Sequence, residues 1–318
     1  MRSEALGDIL KVWLYAAASV WLGAWMCPLI YNAGKALAEV STAKQLNDPL
    51  EWLANLCRAA DFPKFFVASL VIAALILFLP FMSWLRGGAR RAGAGTGQRL
   101  QPNPAGPRQA AAGFFGVALL FLGIAGMLLL TPAFGWKSSP GNLLQIVFFS
   151  LALALGWGFL QEILFRGIAM GVFLRAVRPA AALGMSAALF ALVHFLVPPR
   201  GLTVLEPDAS GTGFEILRKI VDQFSNASVL LGIFAPVLAL GGVLAYARWR
   251  TASLWLPTGI HAGWIFINSL LGSYVDSNRQ GPGGLLNHGM IPLIGILLAG
   301  VLIHHLTHDH AAAADPAA

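Results

Sequence analysis

Four ionisable residues lie inside long apolar stretches of this 318-residue chain, and they are the first candidates for chemistry. They are Glu162, Arg166, His194 and His261, and the amides Gln161 and Asn268 accompany them. An ionised side chain in the middle of a membrane costs about 2.5–3.5 kcal/mol, so such residues usually face a polar cavity or a partner. We therefore expect these residues to surround a polar cavity.

The spacing of the acid and the arginine favours an ion pair. Glu162 and Arg166 are four residues apart, with the acid on the N-terminal side, so their side chains can meet on one face of a helix. Gln161 is turned by about 100° from Glu162 and borders the same side. These three residues can therefore line one cleft.

The two histidines can reach the same cleft from other helices. If two consecutive apolar segments form a hairpin that turns near Arg178, Glu162 and His194 lie equally far from the turn. His261 would join from a later segment. A carboxylate that faces an imidazole in a wet cavity can activate a water, as a base or through a bound metal such as zinc. The ligands of that metal would be Glu162, His194 and His261.

Composition indicates the kind of element that must position these residues. The chain is 57% hydrophobic and 11% charged, whereas soluble domains carry about a quarter charged residues. Crossing a bilayer takes about 20 apolar residues in a helix. We therefore predict an all-α polytopic membrane protein of about eight transmembrane helices with an intramembrane polar cavity. The predicted spans are 10–32, 65–85, 110–133, 142–172, 180–198, 227–247, 252–274 and 286–306.

The basic residues indicate topology and argue against a nucleic-acid partner. The net charge is +7, but its basic residues form short clusters between apolar runs, which is the pattern that orients membrane proteins. The clusters are the Gly- and Pro-rich linker 86–108, Arg175 with Arg178, and Arg248 with Arg250. Placing them in the cytoplasm puts both termini there, in a plasma-membrane protein whose partner is the lipid bilayer. Cys27 and Cys57 would then lie near the outer face, where a disulfide can form.

The same features suggest a division of the chain. Residues 1–109 form an N-terminal region of two spans with the basic linker. Residues 110–306 form the membrane core, and residues 307–318 form a disordered tail.

Three motifs in order resemble a known family. Gln161–Gly167 (QEILFRG) corresponds to the family motif EExxxRG, and Phe190–His194 (FALVH) corresponds to FxxxH. Ile260–Trp264 (IHAGW) corresponds to the start of HxxxN. Over residues 140–275 the chain resembles the CPBP intramembrane proteases. These include the type II CAAX prenyl endopeptidases and bacterial relatives linked to bacteriocin processing or immunity.

The resemblance implies an intramembrane endopeptidase of a membrane-associated or hydrophobic peptide, with a divalent metal as one option. Gln161 stands where the family has its leading Glu, the base that activates water. We expect Glu162 to act as the base instead, with Arg166 orienting it and His194 assisting. His261 would stabilise the oxyanion. Ile265 stands where the family has its Asn, and Asn268 is the nearest amide.

Three other functions remain open from the sequence. The two departures at Gln161 and Ile265 favour a catalytically impaired scaffold or bacteriocin-immunity factor. Ser186 with His261 could form the dyad of a rhomboid-like serine protease. Buried charges, and prolines that can break helices near the midplane, also occur in transporters. Those prolines are Pro236, Pro257 and Pro292.

Overall fold

The computed structural model describes residues 2–44, 47–91, 103–131, 134–138, 141–199, 201–277 and 291–312. The chain forms two compact units. The first comprises Met1–Thr96 and His194–Asn226, and the second comprises Gly97–Val193 and Ala227–Ala318.

Helices make up almost all of the described chain. In order they are α1 (Arg2–Ala43), α2 (Asp48–Ala59), α3 (Phe62–Arg91), α4 (Gly106–Leu129), α5 (Leu143–Glu162), α6 (Met170–Ala176), α7 (Pro179–Phe195), α8 (Thr212–Asp222), α9 (Ala227–Val229), α10 (Ala235–Thr251), α11 (Trp255–Tyr274) and α12 (Ile291–Ala312). The π-helical segments Ile163–Ala169 and Leu230–Phe234 join α5 to α6 and α9 to α10, and a 3-10 turn spans Gln223–Ser225. Two short strands, β1 (Phe134–Trp136) and β2 (Val275–Ser277), pair antiparallel.

The predicted all-α membrane architecture is confirmed. Every predicted span falls on a helix: α1, α3, α4, α5 with α6, α7, α10, α11 and α12. Among the described residues, five helical stretches are long and apolar enough to cross a membrane, namely Ala5–Ala43, Phe62–Gly87, Gly106–Leu129, Leu143–Ala176 and Ala227–Thr251. Pro179–Phe195 and Pro292–His305 are shorter apolar helices. The β1–β2 pair was not predicted, and the number of eight spans stays a prediction.

In the first unit, α1 packs closely against two neighbours through small residues. A Cβ added to Gly23 would lie 2.7 Å from the Cα of Leu70 on α3, and one on Gly213 of α8 would overlap the carbonyl oxygen of Ala24. Such close approach of helix backbones is the usual role of small residues in membrane proteins.

A lysine joins α1 to the end of α2. Lys35 Nζ donates to the carbonyl oxygens of Cys57 at 3.0 Å and Ala60 at 2.8 Å. These carbonyls have no partner within their own helix, and a cation at a helix C-terminus also stabilises the helix dipole. The thiols of Cys27 and Cys57 are both free, so the structure holds no disulfide between them.

Three parts of the predicted division differ from the structure or fall outside it. Residues 194–226, assigned to the membrane core, belong to the first unit, because α8 packs on α1. Residues 307–312 of the predicted tail are helical, since α12 continues to Ala312, and residues 313–318 lie outside the described residues. Of the basic linker, α3 reaches Arg91 and residues 92–102 are also outside them.

In the second unit, α11 lies between α4 and α5. A Cβ on Gly259 would overlap the carbonyl oxygen of Ala110, and one on Gly263 would lie 2.5 Å from the carbonyl oxygen of Phe114, so this face of α11 touches the α4 backbone. On another face, a Cβ on Gly158 of α5 would lie 3.4 Å from the Cα of Ala262. The contacts at Gly259 and Gly263 hold α11 against α4, and the contact at Gly158 holds α11, and with it His261, close to α5.

Candidate active site

A carboxylate with no access to solvent is the centre of the candidate site. Glu162 ends α5 and is 0% exposed. Its Oε1 accepts a hydrogen bond from Arg166 Nη1 at 2.8 Å and another from His261 Nδ1 at 2.8 Å. The predicted meeting of Glu162 with Arg166 and His261 is therefore present in the second unit.

The other oxygen of the same carboxylate is in a different situation. Glu162 Oε2 is buried, and no side chain or backbone group in the described part of the chain donates to it. An ionised carboxylate has acceptor sites on both oxygens, and a buried polar atom without a partner is costly. Oε2 is therefore the atom at which an additional donor, such as water, would be stabilised.

Arg166 is held on three sides. Besides its bond to Glu162, its Nη2 donates to the backbone carbonyl of Gly241 on α10 at 3.2 Å. Its guanidinium carbon lies 4.3 Å from the centre of the Phe190 ring on α7, a cation–π contact. The arginine thus links three helices through one charge that is 0% exposed.

Phe190 also packs on the histidine of the site. Its ring centre lies 5.4 Å from that of His261, with the planes inclined at 70°. In the sequence, Phe190 stands out only as the first residue of the FxxxH motif. A single aromatic ring in contact with Arg166 and His261 restricts the movement of both side chains.

The direction of His261 follows from helix geometry. On a helix with 3.6 residues per turn, His261 is turned by about 200° from Gly259 and Gly263. Because those two glycines face α4, the imidazole points away from α4 and toward Glu162. The carboxylate accepts, so His261 Nδ1 carries the proton, and Nε2 is directed to the far side of the ring.

A π-helical segment begins directly after Glu162. In Ile163–Ala169 the turn is widened, and the N–H of Met170 donates to the carbonyl of Phe165. Single π-helical turns inside α-helices often occur at functional sites. Nothing in the sequence predicted this segment, because its apolar residues fit an ordinary helix equally well.

The remaining predicted residues differ in where they lie. Gln161 is buried beside Glu162 in the last turn of α5, at 8% exposed. Asn268 is exposed, and its Nδ2 donates to the carbonyl of Trp264 at 2.9 Å within its own helix. Ile265 packs near Gly158 of α5, which is apolar contact where the family motif has an amide.

Two further predictions concern His194, expected to assist Glu162, and Ser186, considered as the nucleophile of a dyad with His261. His194 is half-buried in the last turn of α7 and is the first residue of the second stretch of the first unit. Its role beside Glu162 stays a prediction. Ser186 is 0% exposed, and its Oγ makes no hydrogen bond to His261 or to any other described group. A Ser186–His261 dyad is therefore not assembled here.

The predicted metal ligands are Glu162, His194 and His261, of which Glu162 and His261 are in contact in the second unit. Glu162 and His261 supply two candidate ligands, and both are already bonded to each other. Zinc in proteins takes three or four ligands, and no group of three or more His, Cys, Asp and Glu side chains placed to hold a metal occurs among the described residues. The metal, with these three residues as its ligands, therefore stays a prediction.

Comparison with known proteins agrees with the motifs. Residues 143–267 match the family model described as Type II CAAX prenyl endopeptidase Rce1-like, a range that contains the three motifs and the bonded residues of the site. No curated protein and no solved structure matches the chain. Residues 143–267 of this membrane protein are therefore similar to the CAAX-protease-like intramembrane proteases.

Proposed function

We propose that this protein is an intramembrane endopeptidase that hydrolyses a peptide bond in a membrane-associated or hydrophobic peptide. The observation that supports this most directly is the buried carboxylate of Glu162. Its Oε1 is held by Arg166 and His261, while Oε2 has no donor in the part of the chain that the structure describes. A fixed carboxylate with one open oxygen is suited to bind and deprotonate a water molecule.

The proposed reaction uses the residues as follows. Water binds to Glu162 Oε2, gives its proton to the carboxylate and attacks the carbonyl carbon of the peptide bond. The tetrahedral intermediate carries a negative charge on the former carbonyl oxygen. Glu162 then returns the proton to the departing amine. Arg166 holds the carboxylate in position through its hydrogen bond to Oε1.

His261 is proposed to stabilise the oxyanion. Its Nδ1–H is fixed by Glu162, so a protonated ring can donate from Nε2 to the developing charge, and donors aimed at that charge are worth about 2.7–4 kcal/mol. His194 is proposed to assist Glu162, on the strength of the FxxxH motif. Asn268 is not part of this proposal, because its amide already donates to Trp264.

The test is cleavage of hydrophobic peptides by the purified full chain in detergent and in proteoliposomes. We expect Glu162→Ala to lower kcat by a factor of about 10² or more, the range for loss of a general base. Ser186→Ala is the matched control, since Ser186 is equally buried and lies outside the bonded site, and it should keep full activity. Equal activity of Glu162→Ala and the parent would contradict the proposal. Loss of activity in Ser186→Ala would favour the serine mechanism instead.

A second candidate function is binding of such a peptide without cleavage. It is favoured by Gln161, whose amide cannot accept a proton as a carboxylate does, and by Ile265, which offers no hydrogen bond to an oxyanion. Gln161→Glu distinguishes the two functions. If the parent does not cleave and Gln161→Glu does, the chain is an impaired family member that serves as a scaffold or immunity factor.

We also propose that the protein lies in the plasma membrane with both termini in the cytoplasm. The support is the clustering of basic residues at the ends of helices, including Arg175 in the last turn of α6 and Arg248 with Arg250 in that of α10. A fluorescent protein fused after Ala318 should be fluorescent, and alkaline phosphatase fused there should be inactive. Active phosphatase would show that the C-terminus lies outside the cytoplasm and would contradict the proposed orientation.

A further inference from the structure

A second buried arginine in the second unit has two guanidinium nitrogens without a hydrogen-bond partner among the described residues. Arg248 lies in the last turn of α10 and is 2% exposed. Its Nε and Nη1 are buried, and neither donates to any group among the described residues. The sequence predicted only that Arg248 would mark a cytoplasmic helix end.

Arg166, in the same unit, is paired with a carboxylate, although its Nε also lacks a hydrogen-bond partner among the described residues. Its guanidinium binds the Glu162 carboxylate and the Gly241 carbonyl and packs on Phe190. Arg248 has none of these. A guanidinium stays charged in proteins, and a buried charge persists only when it is paired. The missing partner of Arg248 is therefore an anion that the described chain does not supply.

Two other side chains near the end of α10 do not supply that anion. Tyr246 OH is hydrogen-bonded to His304 Nδ1 of α12 at 2.6 Å. The guanidinium carbon of Arg250 lies 5.9 Å from the centre of the Tyr246 ring. Arg250 adds positive charge to the same turn. This end of α10 is therefore a basic site that attracts an anion.

The depth of Arg248 in the membrane indicates which anion it meets. It lies three residues before the end of the apolar stretch Ala227–Thr251, and its neighbour Trp249 is 42% exposed. Tryptophan, tyrosine and arginine at a helix end are typical of the level of the lipid headgroups, where phosphate is the abundant anion. The planar guanidinium matches phosphate oxygens in a bidentate pair.

We infer that Arg248 binds the phosphate of an anionic lipid headgroup at the end of α10. The site is independent of peptide cleavage and uses none of the residues of the candidate active site. Bound lipid neutralises the guanidinium and so stabilises the turn in which α10 ends.

The test measures thermal unfolding of the full chain in a neutral detergent during titration with lipid. Phosphatidylglycerol is the probe. Diacylglycerol of the same chain length is the control without a phosphate, and inorganic phosphate is the control without a lipid. We expect phosphatidylglycerol to raise the midpoint of the parent in a saturable way. Diacylglycerol should not raise it. If inorganic phosphate raises the unfolding midpoint equally, the site binds a soluble anion and the assignment to a lipid is overturned.

The variant Arg248→Met keeps the length of the side chain and removes its charge. Because an unpaired buried charge is destabilising, we expect Arg248→Met to unfold at a higher temperature than the parent without lipid, and to respond about tenfold to a hundredfold more weakly to phosphatidylglycerol. Arg250→Met is the matched control in the same turn, and its response should change by less than about threefold. An Arg248→Met protein that responds like the parent, or one that is less stable with and without lipid, would overturn the inference.

Discussion

Replacing Glu162 by Gln should lower the free energy of unfolding by about 3–5 kcal/mol, the range found when one partner of a buried ion pair is removed. The substitution keeps the shape of the side chain but leaves the charge of Arg166 buried with a neutral amide. The same change weakens the hydrogen bond from His261, which loses a charged acceptor. Unfolding in mixed micelles, followed by circular dichroism, measures the loss.

The double variant Glu162→Leu with Arg166→Met tests whether the loss comes from the uncompensated charge. Removing both charges from a buried pair is often neutral or stabilising, so the double variant should be more stable than Glu162→Gln alone. Asp61→Asn provides a control, because Asp61 and Lys64 form an ion pair at 3.5 Å whose side chains are 60% and 66% exposed. That change should cost about 0–1 kcal/mol. Equal losses for Asp61→Asn and Glu162→Gln would show that burial of the pair is unimportant.

Gly259→Ala should destabilise the second unit by about 3 kcal/mol, the upper end of the range for overpacking. The added methyl overlaps the carbonyl oxygen of Ala110, which is backbone and cannot move aside as a flexible side chain would. The backbones of α4 and α11 must therefore separate. If the chain cleaves peptides, kcat should also fall, because the separation moves His261 relative to Glu162.

Gly272→Ala is the matched control on the same helix. No atom lies within 4 Å of a Cβ added there, so the change should be neutral or stabilise α11 by about 0.5–1 kcal/mol, as alanine does in helices. Thermal unfolding of the two variants separates a steric effect from a change in helix propensity. Gly259→Ala with the stability of Gly272→Ala would show that the close contact with α4 is not required.

Much of the architecture could be predicted from the sequence because the bilayer determines which elements can cross it. Apolar runs of about 20 residues in a chain with few charges must cross lipid. A helix forms all of its backbone hydrogen bonds within itself, so helices are the expected element. The contact between Glu162 and Arg166 follows from their four-residue spacing. That His261 joins them was predicted from its position inside an apolar segment and from the order of the motifs.

Other features could not be predicted because they depend on distant parts of the chain. The packing of α8 on α1 depends on Gly213 meeting Ala24, and no local pattern marks a glycine for such a contact. The double contact of Phe190 with Arg166 and His261 joins three helices. The burial of Arg248 reverses the usual expectation for a basic residue at a helix end, which is solvent exposure.

The π-helical segment Ile163–Ala169 also limits how this helix can change in length. A π-helical turn holds one residue more than an α-helical turn. Regular α-helical winding of the same seven residues, or deletion of one residue elsewhere in this helix, would therefore rotate Glu162 by about 100° relative to α6. Every side chain of the site would still be encoded, yet the carboxylate would no longer face His261. Insertions and deletions between residues 143 and 176 are therefore expected to be less tolerated than substitutions of the lipid-facing residues in the same helix.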